Sequence, residues 1–254
     1  MAVLGINKSI EREGQDRYDI QLPADQREFL QEIYKVNKNV VVVLVAGSSL
    51  AVNWMDENVP AIVNAWYPGE SGGTAVAEVL FGDYNPGGRL PLTYYKSLED
   101  LPAFDDYDII KGRTYQYYKG DVLYPFGYGL SYTSFKYSGL KVTEDNEFAN
   151  VSFTLKNVGK RAGDEVAQVY VKLPQRNEVM PVKELKGFER VTLKKGESRD
   201  VTIKLRKDLL RYWDEAKGDF VYPSGEYTIM VGSSSADIRL QCVAELSNNQ
   251  TGTK

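Results

Sequence analysis

The sequence contains no histidine and a single cysteine, Cys242. The first absence excludes a Ser-His-Asp triad, an imidazole base and a His-ligated zinc built from this chain alone. The second excludes an intrachain disulfide and a cysteine-rich metal site. Cys242 sits in an alternating apolar stretch and is expected to be a small buried hydrophobe. Long apolar runs are also missing. The longest is Val40 to Ala46, far short of the roughly 20 residues a spanning helix needs, so no membrane span is expected. No signal peptide is evident at Met1. The net charge of -4 provides no basic face for nucleic acid or an anionic membrane. Carboxylates remain as the main acid–base groups. Tyrosine, by contrast, is abundant, at 18 residues. Its flat body and polar tip suit both sugar binding and strands, and for most of these residues the strand reading is favoured.

The first half alternates strand and helix signals. Ala2 to Gly5 reads as the end of a strand. Residues 25–36 read as a helix, with Asp25 and Glu28 at capping-box spacing and Phe29, Leu30, Ile33 and Tyr34 on one face. Val40 to Ala46 is β-branched and short, as in a strand buried on both faces of a parallel sheet. Gly47-Ser48-Ser49 then turns the chain, Ala61 to Trp66 is the next strand, and a helix follows from Gly73 to Phe81. This order implies an α/β domain. Three parallel strands alone would leave open edges, so further strands are expected upstream. From Lys96 to Thr133 the chain is rich in Tyr, Pro, Asp and Gly and reads as a structured connector. After Thr133 about seven short alternating strands predict an immunoglobulin-like or fibronectin-like sandwich. The expected organisation is a partial α/β domain over 1–95, a connector over 96–133 and an all-β domain over 134–254.

Four segments in order carry a resemblance. They are Glu11-Arg12-Glu13-Gly14-Gln15-Asp16-Arg17 with Leu22-Pro23 and Gln26; Ala65 to Gly73; Leu80 to Pro91; and Leu123 to Thr133. Together they resemble glycoside hydrolase family 3, the family of many β-glucosidases and β-xylosidases. The resemblance implies a partial α/β sandwich domain with a mainly parallel sheet, followed by a fibronectin type III-like β-sandwich. It also implies a partner outside this chain: an N-terminal barrel domain of the same protein, which in the family supplies the aspartate nucleophile. The expected function is the C-terminal part of a retaining β-glycosidase, with β-glucosidase first and β-xylosidase as the alternative. The connector, with Leu101 to Tyr107 and Gly112 to Tyr115, is similar to xylosidase-type members. An oligosaccharide or other glycoside is the expected substrate, no cofactor or metal is expected, and the location the family implies is secreted or periplasmic. A non-catalytic carbohydrate-binding or scaffold fragment is the reading of another class.

Retaining hydrolysis uses two carboxyl groups about 5–5.5 Å apart, one a nucleophile and one an acid/base. The resemblance matches the acid/base to Glu13, directly before Gly14-Gln15-Asp16-Arg17, and Glu11 is its rival two positions away. Asp16 and Arg17 are placed to hold the loop and tune Glu13. By the residues alone, a loop glutamate is most often a solvated surface group. Trp66 and Tyr67, after a buried strand, are candidates for stacking on a sugar, with equal weight on a core role anchoring the next helix. Glu70 reads as a helix N-terminal partner. The Gly-rich turn at 83–88 lacks a Lys-Ser/Thr pair, which excludes a phosphate cradle.

Overall fold

The computed structural model describes residues 1–176 and 179–247. Residues 248–254 of the all-β domain expected over 134–254 lie outside it. The chain forms two compact units. The first holds residues 1–84, 92–107 and 120–124; the second holds 85–91, 108–119 and residues from Pro125 onward.

The first unit is built on three parallel strands, β1 (Ala2–Gly5), β2 (Val41–Val45) and β3 (Ala61–Asn64), in the order β1-β2-β3. Helix α1 (Ala24–Val36) joins β1 to β2, α2 (Asn53–Asn58) joins β2 to β3, and α3 (Gly72–Phe81) follows β3. Period-2 geometry places Leu4 of β1 with Val42 and Leu44 of β2 on one face. These pack with Leu30 of α1 and Met55 of α2 in one apolar cluster. Val43 on the opposite face of β2 is also buried. A strand covered on both sides cannot alternate with polar residues, which accounts for the unbroken apolar run.

Three local expectations need correction. Helix α1 has Pro23 as its N-cap and no side-chain cap bond, so Asp25 lies within the first turn and no capping box forms. Phe29 is 57% exposed, although the periodicity assigned it to the buried face. Only Leu30 of this helix is fully buried. The strand expected to reach Trp66 stops at Asn64.

Gly5 has a sharp requirement. A Cβ built there would sit 1.8 Å from the carbonyl oxygen of Val45, its register partner on β2. Gly5→Ala is expected to pry β1 from β2 and cost about 3 kcal/mol, at the upper end of ordinary overpacking. The urea midpoint of the first unit reads this, and an unchanged midpoint would show that the edge opens without cost.

The second unit carries two antiparallel sheets. One is β4 (Phe135–Glu144), β5 (Phe148–Asn157) and β8 (Ser198–Arg206), in the order β4-β5-β8. The other comprises β6 (Gly163–Lys172), β7 (Glu184–Leu193), β11 (Glu226–Gly232) and β12 (Ile238–Glu245), in the order β12-β11-β6-β7. A separate hairpin pairs β9 (Tyr212–Asp214) with β10 (Asp219–Val221). Val151, Phe153 and Leu155 from the first sheet share a core with Val169, Val171 and Ile229 from the second. This is a β-sandwich, as the alternation predicted. The other face of β6 is covered too. Tyr170 donates to Gln168 at 2.5 Å and meets the ring of Tyr115 edge-on at 5.8 Å, so the tyrosine-rich connector contributes packing. Cys242 on β12 is half-buried against the core, and burial pushes its thiol up, away from the reactive thiolate.

Candidate functional site

The segments that leave β1, β2 and β3 emerge at one end of the sheet, the carboxyl end, where open α/β sheets place their ligand-binding loops. All three belong to the first unit.

The loop after β1 begins with a tight turn. Asn7 accepts from the backbone of Ile10 and Glu11 through its carbonyl, and from Ser9 through its side chain. A small hairpin follows, closed by reciprocal backbone bonds between Arg12 and Gln15 of 3.0 and 2.9 Å. Two residues, Glu13 and Gly14, make its tip. Gly14 has φ of +74°, a left-handed conformation that favours glycine in such a turn. Glu13 is therefore at the point of a protruding hairpin and exposed.

Glu11 is placed differently. Its side chain is 21% exposed and meets the Nε of Arg17 at 2.7 Å. The hydroxyl of Ser48 lies 2.8 Å from Oε1 and 2.7 Å from Oε2. Arg17 is itself 11% exposed, and its Nη2 donates to the carbonyl of Ser49 at 2.9 Å. Ala51 donates to the carbonyl of Ile20 at 2.8 Å. The loop after β1 is thus fastened to the Gly47-Ser48-Ser49 turn after β2 by the carboxylate, the guanidinium and the main chain. Arg17 pairs with Glu11; Asp16 is exposed. The Gln26 side chain closes two 2.8 Å bonds with the backbone of Gly5, holding α1 to the root of the same loop.

Behind the loop lies a cleft of about 400 Å³, lined in part by Gln15, Asp16, Arg17, Tyr18 and Asp19. Nη1 of Arg17 is buried without a hydrogen-bond partner among the described residues.

After β3, Trp66 adopts φ of +54°, uncommon for a bulky side chain and a reason for β3 to end before it. It is partly buried. Tyr67 is 55% exposed, with its ring against Gly47 and its hydroxyl 3.3 Å from the carbonyl of Ile6. Tyr67 therefore braces the same turn that holds Glu11. Glu70 is exposed ahead of Ser71, the N-cap of α3, where no side-chain cap bond forms.

The geometry brings Glu11, Arg17, Ser48 and Tyr67 to one place and leaves Glu13 at the exposed tip. Sequence reasoning passed over Ser48. The available signal was a Gly-Ser-Ser turn at the carboxyl end of a strand covered on both faces, a position that presents hydroxyls where ligands bind. Among the described residues, no cluster of three or more His, Cys, Asp or Glu could hold a metal ion, and no helix is long and apolar enough to cross a membrane.

Residues 1–132 match the glycosyl hydrolase family 3 C-terminal domain, and residues 165–235 match the fibronectin type III-like domain. A xylan 1,4-beta-xylosidase of Xylanibacter ruminicola is 45% identical over 226 residues, covering 88% of this chain and 26% of that protein. A beta-glucosidase of Kluyveromyces marxianus is 41% identical over 252 residues, covering 93% of this chain and 30% of that protein. The crystal structure of the latter in complex with glucose superposes with a TM-score of 0.90 at 37% identity, over 96% of this chain and 31% of that one. A family 3 beta-glucosidase from Bifidobacterium adolescentis gives a TM-score of 0.90 at 34% identity, over 99% of this chain and 40% of that one. The chain thus spans between a quarter and a third of the length of these two curated relatives, 26% and 30%.

Proposed function

This chain belongs to glycosyl hydrolase family 3, as its C-terminal portion, and on that premise we propose that it supplies the acid/base loop of a retaining β-glycosidase. The whole enzyme releases a terminal, non-reducing β-linked sugar from a glycoside or oligosaccharide. Its nucleophile, a second carboxylate, comes from the part of the enzyme outside this chain. The observation that carries the reading is the hairpin at the carboxyl end of the sheet that presents Glu13 at its tip and is fastened at its root by Glu11, Arg17 and Ser48.

The resemblance puts Glu13, directly before Gly14-Gln15-Asp16-Arg17, first as acid/base and Glu11 second, and the contacts of the loop support that order. The oxygens of Glu11 are taken up by the guanidinium of Arg17 and the hydroxyl of Ser48, which suits it to fasten the hairpin rather than to donate a proton. Glu13 stands at the exposed tip of that hairpin, open to a glycoside. In the first step Glu13 gives its proton to the leaving oxygen as the nucleophile attacks the anomeric carbon. In the second it takes a proton from water as the glycosyl–enzyme ester is hydrolysed. Tyr67, whose hydroxyl lies 3.3 Å from the carbonyl of Ile6, and its chain neighbour Trp66 are the proposed sugar-contacting residues.

Glucose is the proposed sugar. Xylose is the second reading, favoured by the 45% identity to the xylosidase. The complete enzyme is expected to hydrolyse 4-nitrophenyl β-glucoside with retention, at least tenfold better than the β-xyloside, a difference of about 1.4 kcal/mol. The reverse ratio makes it a xylosidase. No hydrolysis of either substrate sinks the glycosidase reading and leaves a non-catalytic role in binding. This chain alone is expected to turn over neither, and activity of the purified chain would refute the need for an outside carboxylate.

A further inference from the structure

We propose that the outer face of the β4-β5-β8 sheet binds an acidic polysaccharide, a glycan chain that carries uronic carboxylates. The inference goes beyond the acid/base reading and does not depend on it.

One set of side chains on these strands fills the sandwich core, and the alternate set faces solvent. The charged groups in the outer set are Lys136 and Lys141 of β4, Lys156 of β5, and Asp200, Lys204 and Arg206 of β8. Arg206 is taken up by Asp208. Four lysines then share the face with one carboxylate, in a chain whose net charge is -4. The overall charge conceals this face, because the acidic surplus lies elsewhere. Lys136 and Lys156 stand directly opposite each other, and the partner of Lys156 on its other side is Ser198. Like charges placed this way weaken a sheet. Lys136, Lys141 and Lys156 have no ion-pair partner among the described residues. Carboxylates at the ends of these strands are engaged: Glu144 with Lys207, Asp145 with the amides of Glu147 and Phe148, and Glu197 with Arg199. A cationic pair kept without a counterion, at a cost to its own sheet, marks a place for an anion from outside.

Between the lysines the face is lined with hydroxyls. Ser152 and Thr202 share a hydrogen bond of 2.8 Å, and Thr154 donates to Asp200 at 2.7 Å, so these side chains are held across the strands. Ser138 is exposed opposite Thr154. Short, fixed hydroxyls match the hydroxyls of a sugar, and the lysines match its carboxylates. The cations are also spread as an extended chain requires. Lys141 is opposite Ser152, four residues along β5 from Lys156, which sets the two cationic rows roughly 13 Å apart. Lys204, opposite Asn150, lies two residues further along. Other polyanionic surfaces fit less well. Single-stranded nucleic acid is held by stacking on aromatic rings, and a membrane by inserted apolar side chains. Among the described residues, the one ring on this face is the half-buried Phe148, with Nζ of Lys204 5.6 Å from its centroid.

The test measures binding of the complete enzyme to polygalacturonate by isothermal titration at low salt. Carboxyl-reduced polygalacturonate and a DNA oligonucleotide are the comparison ligands. The acidic glycan is expected to bind about tenfold or more tightly than either. Lys136→Ser with Lys156→Ser is expected to weaken its binding about tenfold and to flatten the dependence on salt, because fewer counterions are released. The unfolding midpoint of this variant should be unchanged or higher, since the like-charge pair is gone. The same loss of charge at Lys119 and Lys172, both exposed and outside this face, should change the affinity less than about twofold. No binding of polygalacturonate, or equal binding of the reduced polymer, overturns the inference. So do equal losses in the two double variants, and DNA binding as tight as that of the acidic glycan. Binding is read without turnover. Its failure therefore leaves the acid/base reading standing, and failure of the acid/base reading leaves the binding result untouched.

Discussion

Glu13→Gln in the complete enzyme is expected to lower kcat/KM on unactivated glycosides by about 10²–10⁴-fold, the range that a positioned general acid contributes. On a dinitrophenyl glycoside the loss in kcat/KM should be slight, because that leaving group departs without a proton. Turnover of the same substrate should still fall. Glutamine cannot accept a proton from water, so the glycosyl–enzyme builds up and a burst of phenol precedes the slow phase. Added azide should then restore turnover and give a glycosyl azide of retained configuration, since an anion needs no general base. Glu11→Gln removes the ion pair with Arg17 under the hairpin and is expected to slow every substrate to a similar extent, with no dependence on the leaving group and no azide rescue. If Glu11→Gln instead shows the leaving-group dependence and azide rescue, the assignment passes to Glu11.

The second large effect is expected on stability, in the fibronectin-like unit. Arg89 and Glu165 form an ion pair of 2.9 Å with side chains only 8% and 6% exposed. Glu165 Oε1 also accepts from the backbone of Val166 at 2.9 Å. Arg89 donates to the carbonyl of Gly88 at 3.0 Å, while its Nε is buried without a hydrogen-bond partner among the described residues. Nearby, burial and then the charge of Glu165 push the Tyr137 phenol well above its ordinary range, so it stays neutral. Arg89→Ala leaves a carboxylate buried without its partner and is expected to cost about 3–5 kcal/mol. Replacing both members with apolar residues, Arg89→Met with Glu165→Leu, should recover most of this loss, because no charge is then left buried. Urea unfolding of the three proteins decides the matter. A double variant no better than Arg89→Ala would show that the pair is worth more than its desolvation cost.

Much of the architecture was legible from local pattern. The β-branched run at 40–46 could be little other than a strand covered on both faces, and β2 is that strand. The alternation of Val151, Phe153 and Leu155 fixed which residues of β5 face the core. The four motif segments, in order, point to the family by themselves. These signals are local, because side-chain period and backbone propensity act within a few residues.

The resemblance put Glu13 ahead of Glu11, but the local residues could not tell how the two glutamates in the loop are held. Glu11 and Glu13 are two positions apart, of one residue type, and both in a charged stretch. They are separated by contacts distant in sequence: Ser48 lies 37 residues from Glu11, and Ser49 lies 32 residues from Arg17. Those contacts exist because β1 and β2 pair in parallel register, Gly5 opposite Val45, which brings the segments after the two strands together. The same dependence explains Phe29, whose apolar character placed it on the wrong side of α1, and Trp66, whose left-handed backbone ends β3 early. The sequence by itself determined the strands, the sandwich and the presence of a carboxylate-bearing loop. Only the tertiary structure decided which carboxylate is held, because holding it takes groups that the sheet gathers from three separate strand ends.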